Sequence, residues 1–291
     1  MDAVLRQSPR PLTGGNRLDV IRVLLTVGIV CRHATNENLP FVVGVTEVCV
    51  PLFFALSGYL FFHNAPGRPE LRWFGKKIRS RFFSLLLPYL IANVIAWGCY
   101  YFALKEVPTL VSGYLADRWK NPLFVFWTGP VNLSLWFIRE LIIAVLLSPL
   151  LYLLIRYLRW GGVLALGLWW ALLRFGLLPP LPLLKPEPLF LFSAGGCLGY
   201  WKIAPAERWL HAPARISPRS RAWSFFVYLY HYLLLIGVKK SLALLWPPQA
   251  PLAEVAVWLC SILIVLALLS GLYILLRRLA PRLCGILVGG K

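Results

Sequence analysis

The chain has 291 residues, of which 59% are hydrophobic, 14% are charged and 13 are tryptophan. A mean hydropathy of +0.71 excludes an ordinary soluble domain, which needs more charged surface to stay in solution, and indicates a polytopic membrane protein. The formal net charge of +19 does not indicate nucleic-acid binding, because the cations cluster in short segments between apolar runs.

Stretches of about 20 apolar residues are long enough to cross a bilayer, and the chain contains about eight of them. They cover residues 18–35, 42–62, 82–104, 133–155, 161–178, 187–201, 223–245 and 252–276. We therefore predict an all-α bundle of transmembrane helices, with one membrane domain at 18–276 and tails at 1–17 and 277–291.

Lysine and arginine are concentrated in alternate connections between these spans. The basic connections lie at residues 6–17, 68–81, 156–159, 202–221 and 277–291. Because basic loops stay in the cytoplasm, both termini are predicted to be cytoplasmic, which the even number of spans allows.

The first span contains Arg22 and His33, eleven residues apart. At 100° per residue this spacing brings both side chains within about 20° of one helix face, with a rise of about 16 Å between them. Asp19 lies one turn before Arg22, and Glu37 one turn after His33. Charged groups inside a membrane segment indicate a functional site. The alternative is an arginine that reaches the headgroups and a histidine that caps the helix end.

The next two segments read VPLFFALSGYLFF and WFGKKIRSRFFSLLLPYLI. Ser57 and Gly58 interrupt the aromatic run of the first and predict close approach of another helix. The second begins with four cations, Lys76, Lys77, Arg79 and Arg81, and a fifth, Arg72, immediately precedes it.

Two later spans also contain polar side chains. The fourth, LWFIRELIIAVLLSPLL, carries Arg139 and Glu140, which point about 100° apart and are therefore not expected to pair with each other. An ion pair between helices and a role in acceptor binding both remain open for them. His231, in SFFVYLYH, is predicted to be a supporting residue with a satisfied hydrogen bond.

Taken in order, the R-x10-H of Arg22 and His33, PLFFALSGYLFF, KKIRSRFFSLLLPYL, LWFIRELIIAVLLSPLL and SFFVYLYH resemble landmarks of the acyltransferase 3 family. These integral-membrane enzymes modify bacterial surface sugars. The resemblance covers most of the chain and implies an acyl-CoA donor, a hydroxyl acceptor and a catalytic histidine in the first helix. Family members commonly have about ten spans, whereas residues 202–222 here form only a basic connection.

On this reading, the phosphates of coenzyme A are bound by the cations of the third segment, chiefly Arg79 and Arg81. The alternative is that these cations anchor the loop to anionic lipid, at about 1 kcal/mol each. The pantetheine arm is expected to pass Arg22 and bring its thioester to His33.

His33 is predicted to act as a general base that takes a proton from the attacking hydroxyl, and a covalent acyl-imidazole is the alternative. Arg22 would orient the donor or stabilise negative charge on the thioester oxygen.

The predicted function is transfer of an acetyl or other short acyl group from acyl-CoA to a cell-envelope polysaccharide or a lipid-linked sugar, in the bacterial inner membrane. The partners are the bilayer, acyl-CoA and the glycan. No permanently bound cofactor is predicted, and the scattered cysteines predict no metal site.

A saccharide transporter and a catalytically inactive scaffold are the alternative functions. A transporter would show inverted repeats and broken helices, and the sequence indicates neither. The acyl chain, the sugar and the oligomeric state are not determined by the sequence.

Overall fold

The computed structural model describes residues 16–35, 40–106, 129–181, 184–203, 219–246 and 251–290, with isolated positions between 210 and 217. Every regular element in this part of the chain is helical, so the predicted all-α class is confirmed. The predicted site residue Glu37 and most of the predicted N-terminal tail lie outside the described residues.

The helices are numbered in chain order. They are α1 (Arg17–Ala34), α2 (Pro40–Glu47), α3 (Cys49–Phe62), α4 (Leu71–Arg81), α5 (Leu87–Glu106), α6 (Trp136–Leu146), α7 (Ser148–Leu153), α8 (Trp160–Arg174), α9 (Pro186–Tyr200), α10 (Ser220–Leu245), α11 (Pro251–Leu279) and α12 (Pro281–Leu287). A π-turn at Phe82–Leu86 joins α4 to α5, and a second one at Leu154–Leu158 follows α7.

Four described segments are long and apolar enough to cross a membrane, namely Pro40–Phe62, Leu71–Phe102, Ser220–Leu245 and Ala253–Leu279. A fifth is Leu133–Leu146 with Ser148–Leu158, if this bent pair is one span. The eight-span count and the cytoplasmic termini stay predictions.

The fourth predicted span is broken, contrary to our expectation of unbroken helices. Its two halves meet at an angle of 64°. Pro149 lies at the start of α7, and its ring and missing N–H prevent the regular helical hydrogen bond to the preceding turn. The bend therefore has a local cause in the sequence.

The start of α1 is set by a capping box. The Asn16 side chain accepts the backbone N–H of Asp19 at 3.2 Å, and the Asp19 carboxylate accepts the backbone N–H of Asn16, also at 3.2 Å. The cap turns Asp19 inward, where its side chain is fully buried.

Helices α3 and α9 approach each other through glycine. A Cβ atom added at Gly58 would overlap the carbonyl oxygen of Phe192, and one added at Gly195 would overlap the carbonyl oxygen of Ala55. The predicted close approach at Gly58 is thus confirmed.

Helix α10 packs between α1 and α11. Asp19 and His33 of α1 contact Arg221 and His231 of α10 in that order, so the two helices run parallel. This is the relation expected of a first and a seventh span. The end of the chain, predicted as a tail, includes α12, in which Cys284 is buried.

Candidate active site

A cavity of about 180 Å³ lies between α1, α3, α6, α9, α10 and the junction of α4 with α5. Three arginines from three different helices line it, Arg22, Arg81 and Arg221. The rest of its wall is mostly apolar and aromatic. A concave site with a few convergent polar groups is typical of ligand binding.

Asp19 orients two of these arginines. Its Oδ1 accepts a hydrogen bond from Nη1 of Arg22 at 2.7 Å and another from Nε of Arg221 at 2.6 Å. Its Oδ2 accepts a hydrogen bond from Nη2 of Arg221 at 3.0 Å. One buried carboxylate thus faces two guanidinium groups, and with Arg81 the cavity wall keeps an excess of positive charge. Asp19 and Arg22 thus contact each other, which their spacing of one helical turn allows.

Two hydroxyl groups on the same wall have no hydrogen-bond partner among the described residues. They are Oγ1 of Thr26, one turn after Arg22, and Oγ of Ser224, one turn after Arg221. Because unpaired buried hydroxyls are costly, these groups are suited to pair with a bound ligand.

The five cations predicted to bind coenzyme A do not stay together. Arg81 lines the cavity, and the Lys77 ammonium lies 5.3 Å from the ring centroid of Trp73. Arg72, Lys76 and Arg79 are exposed. Of the two arginines favoured as ligands, the structure therefore brings Arg81, and not Arg79, to the cavity that Arg22 lines.

The π-turn after Arg81 has an identifiable cause. Pro88 has no N–H to give to the carbonyl of Ser84, and the N–H of Leu87 instead bonds the carbonyl of Phe82, five residues back. The extra residue changes the direction of the side chains that follow α4. Such π-turns are frequent at functional sites.

His33 lies near the other end of α1, where it contacts α10. Its ring centroid is 5.3 Å from that of His231 and 5.2 Å from that of Tyr232. Nδ1 of His231 lies 2.8 Å from the carbonyl of Tyr228 and 3.2 Å from that of Val227. Arg22 and His33 thus both face α10, as their shared helix face predicts.

In the part of the chain that the structure describes, the cavity that Arg22 lines does not extend to His33. The cavity is lined by Thr26 and Tyr228 but not by His33. Ile29 and Val30, in the turn between, are buried, and the Tyr228 hydroxyl donates to the carbonyl of Ser134 at 2.5 Å. Close packing at this level separates the arginine cavity from the histidines.

Arg139 and Glu140 pair with each other, so the prediction that they do not is wrong. Nη1 of Arg139 donates to Oε1 of Glu140 at 2.5 Å, and both side chains are buried. Helical spacing fixes the directions of their Cβ atoms, but the long arginine chain reaches across, and burial leaves no water for either charge. Lys185 lies 3.9 Å from the same carboxylate oxygen. The cavity receives Ile138 and Leu141 from this helix instead.

Sequence reasoning missed Arg221 and a buried amide pair near the histidines. The Asn132 side chain donates to the carbonyl of Leu229 at 3.2 Å, and Asn93 accepts the N–H of Val131 at 2.9 Å. These bonds tie α5 and the start of the α6 segment to α10, next to His231. Arg221 was visible only as one of several cations before the seventh span.

The chain is similar in sequence to known proteins. A family profile described as an acyltransferase domain matches residues 16–217. The succinoglycan biosynthesis protein ExoH of Rhizobium meliloti is 32% identical over 207 residues, which are 62% of this chain and 52% of the relative. The chain thus spans about half the length of that relative. No solved structure matches the chain. Because the profile covers well over half of the sequence, the protein belongs to the acyltransferase 3 family.

Proposed function

We propose that this protein is a membrane acyltransferase that moves an acetyl or other short acyl group from acyl-CoA to a hydroxyl of a cell-envelope polysaccharide or lipid-linked sugar. The bacterial inner membrane is the proposed location, with the donor bound from the cytoplasmic side. The observation that carries the proposal is the convergence of Arg22, Arg81 and Arg221 on one cavity inside the helix bundle.

The chemistry of the cavity suits the donor. Coenzyme A carries several phosphate charges, and guanidinium groups bind phosphate oxygens through paired N–H donors. Asp19 neutralises only one of the three arginines and holds Arg22 and Arg221 in place. The unpaired hydroxyls of Thr26 and Ser224 are suited to bond the amides of a pantetheine arm running up the cavity.

His33 is the proposed general base. It lies about 16 Å further along α1 than Arg22, a distance that a long, thin pantetheine arm can span. The hydroxyl oxygen would attack the thioester carbonyl carbon while His33 takes its proton, and the proton would pass to the leaving thiolate as the carbon–sulfur bond breaks. Donor binding has to displace the packing around Tyr228, which closes the cavity before the histidines.

A glycan acceptor is supported by the relative, whose name places it in succinoglycan biosynthesis. Among the described residues, no serine or cysteine side chain is found in contact with His33, and direct transfer to the acceptor is therefore the simpler route. The acyl-imidazole route through His33 remains the alternative.

Acyl transfer measured in membranes tests the proposal. Membranes containing the wild-type protein or His33→Ala, at equal insertion levels, would be supplied with acetyl-CoA, and the envelope polysaccharide analysed by mass spectrometry. We expect a gain of about 42 Da per modified residue with the wild type and none with the variant. Equal modification by both proteins would refute a catalytic role for His33.

One observation favours a transporter instead. The 64° bend at Leu147 is a broken helix of the kind that transporters use at their binding sites. It is a single bent pair among the described helices, whereas inverted repeats place such bends at matching positions in both halves. Sugar export that continues without any acylation would support the transporter. If neither acylation nor export is detected with the wild type or with His33→Ala, an inactive scaffold would be supported.

A further inference from the structure

The protonation of His231 is set by its surroundings. The residue is fully buried, and its Nδ1 faces two backbone carbonyls, those of Val227 and Tyr228. A carbonyl only accepts hydrogen bonds, so Nδ1 carries the proton and Nε2 of the neutral ring carries a lone pair. That Nε2 has no hydrogen-bond partner among the described residues. A buried acceptor is thus left over beside the proposed base.

The two imidazole rings are near enough for one hydrogen bond. Their centroids are 5.3 Å apart, and a nitrogen-to-nitrogen bond of about 2.9 Å fits between rings at that separation. Tyr232, from the same helix, meets the His33 ring edge-on. The nearest charge on α1 is Arg32, whose guanidinium lies 3.9 Å from Glu47 of α2. In the part of the chain that the structure describes, no carboxylate contacts the His33 ring.

We infer that His231 is a positioning residue for His33, and the inference rests on the proposed role of His33 as base. The bond is not formed in the structure, where Nε2 of His231 is unpaired among the described residues, and a turn of the His33 ring would be needed to make it. In the active protein Nε2 of His231 would then accept a hydrogen bond from one ring nitrogen of His33, which fixes the tautomer and the angle of that ring. The other His33 nitrogen is then bare and directed at the acceptor hydroxyl. When it takes the proton, the bond to His231 becomes charge-assisted and strengthens in the transition state.

This arrangement explains why a second histidine is buried on α10 with its outer nitrogen unpaired. A carboxylate in the same place would also orient His33, but burying its charge in the bundle would cost several kcal/mol. A neutral acceptor whose own tautomer is locked by the backbone avoids that cost. The contacts of Nδ1 with the backbone carbonyls are therefore needed for His231 to orient His33, because they fix the tautomer of His231.

Two variants of similar size separate positioning from packing. His231→Gln keeps an oxygen that can accept from His33, whereas His231→Met fills the same space without a comparable acceptor. We expect His231→Met to lower kcat roughly tenfold or more, the worth of one hydrogen bond to a charged group, with KM for both substrates unchanged. His231→Gln should recover most of that loss. Equal losses in both variants, or a change confined to KM, would overturn the inference.

A double variant tests the coupling. If His231 acts only through His33, adding His231→Met to His33→Gln should cause no further loss in the residual rate. Additive losses would show that His231 acts on its own and would also overturn the inference.

Nitrogen-15 NMR of labelled histidine supplies a readout that does not depend on turnover. The chain has only 4 histidines, and His33→Gln identifies the His33 signals. We expect one tautomer of His33 in the wild type and a mixture of both in His231→Met. An unchanged His33 tautomer would refute the inference. If the His33 tautomer depends on His231 in a protein that shows no acyl transfer, the histidine pair is upheld and only the proposed function is refuted.

Discussion

Asp19 and Arg221 are joined by two hydrogen bonds, of 2.6 and 3.0 Å, although they are 202 residues apart in the chain. The carboxylate is fully buried and also accepts a hydrogen bond from Arg22, so one acidic group connects α1 to α10 at the arginine cavity. The same two helices meet again at His33 and His231. The α1–α10 contact therefore holds both ends of the proposed site in register.

Removing the Asp19 charge should destabilise this contact. In Asp19→Asn two guanidinium groups lose their counter-ion, and we expect the free energy of unfolding to fall by about 1–3 kcal/mol. Removing one partner of a fully buried ion pair costs about 3–5 kcal/mol, and the cost here is smaller because Arg221 is 49% exposed. Thermal unfolding in detergent measures it. Glu47→Gln, which breaks the exposed 3.9 Å pair with Arg32, is the control and should change little. Equal losses in the two variants would contradict the structural role of Asp19.

Arg81 and Arg79 are two residues apart but should differ in function. Arg81 lines the cavity, whereas Arg79 is exposed. We expect Arg81→Gln to raise KM for acyl-CoA about 10- to 100-fold, since a hydrogen bond to a charged group is worth about 1.5–3 kcal/mol. Arg79→Gln should leave KM near the wild-type value. Initial rates against acyl-CoA concentration distinguish them, and a larger effect at Arg79 would exclude the cavity as the donor site.

Thr26→Val tests whether the unpaired hydroxyl contacts the donor. The substitution keeps the shape of the side chain and removes a buried group without a partner, so stability should hold or rise. KM for acyl-CoA should rise about 2- to 10-fold, the worth of one hydrogen bond.

Ser193→Ala is the matched control for Thr26→Val. It also removes a buried unpaired hydroxyl, but Ser193 does not line the cavity. KM for acyl-CoA should therefore be the same in Ser193→Ala as in the wild type. An equal KM for wild type and Thr26→Val would place the donor elsewhere.

Gly58→Ala should separate α3 from α9. The new methyl group would overlap the carbonyl oxygen of Phe192, and overpacking of this kind costs about 1–3 kcal/mol. Gly98→Ala, in α5, meets nothing within 4 Å and should be neutral or stabilising by about 0.5–1 kcal/mol. Unfolding in detergent compares the two. If both variants were equally stable, the α3–α9 approach would not be as close as described.

Several features of the fold were predicted from short stretches of sequence alone. Hydropathy and composition are enough to assign a helical membrane protein, because the bilayer imposes its requirements on every span separately. The shared face of Arg22 and His33 follows from the period of one helix, and the approach at Gly58 follows from the absence of a side chain. The bend after Leu147 also had a local cause in Pro149, although its angle did not follow from the sequence.

The pairing of Arg139 with Glu140 was mispredicted from the same kind of local rule. Helical spacing gives the direction of a Cβ atom, but the end of a long side chain is placed by what surrounds it. In a dry bundle the two charges satisfy each other at 2.5 Å even though their Cβ atoms diverge.

Sequence alone determined the helical membrane class, the polar face of α1 and the family to which the chain is similar. Only the tertiary structure decided that Arg81 and not Arg79 reaches the cavity, that Arg221 shares the carboxylate of Asp19, and that His231 lies beside His33. The physical reason is that these contacts depend on the rotation and register of one helix against another. Those are set by packing across the whole bundle, through residues such as Gly58 and the π-turn at Phe82–Leu86, and no period within a single helix encodes them.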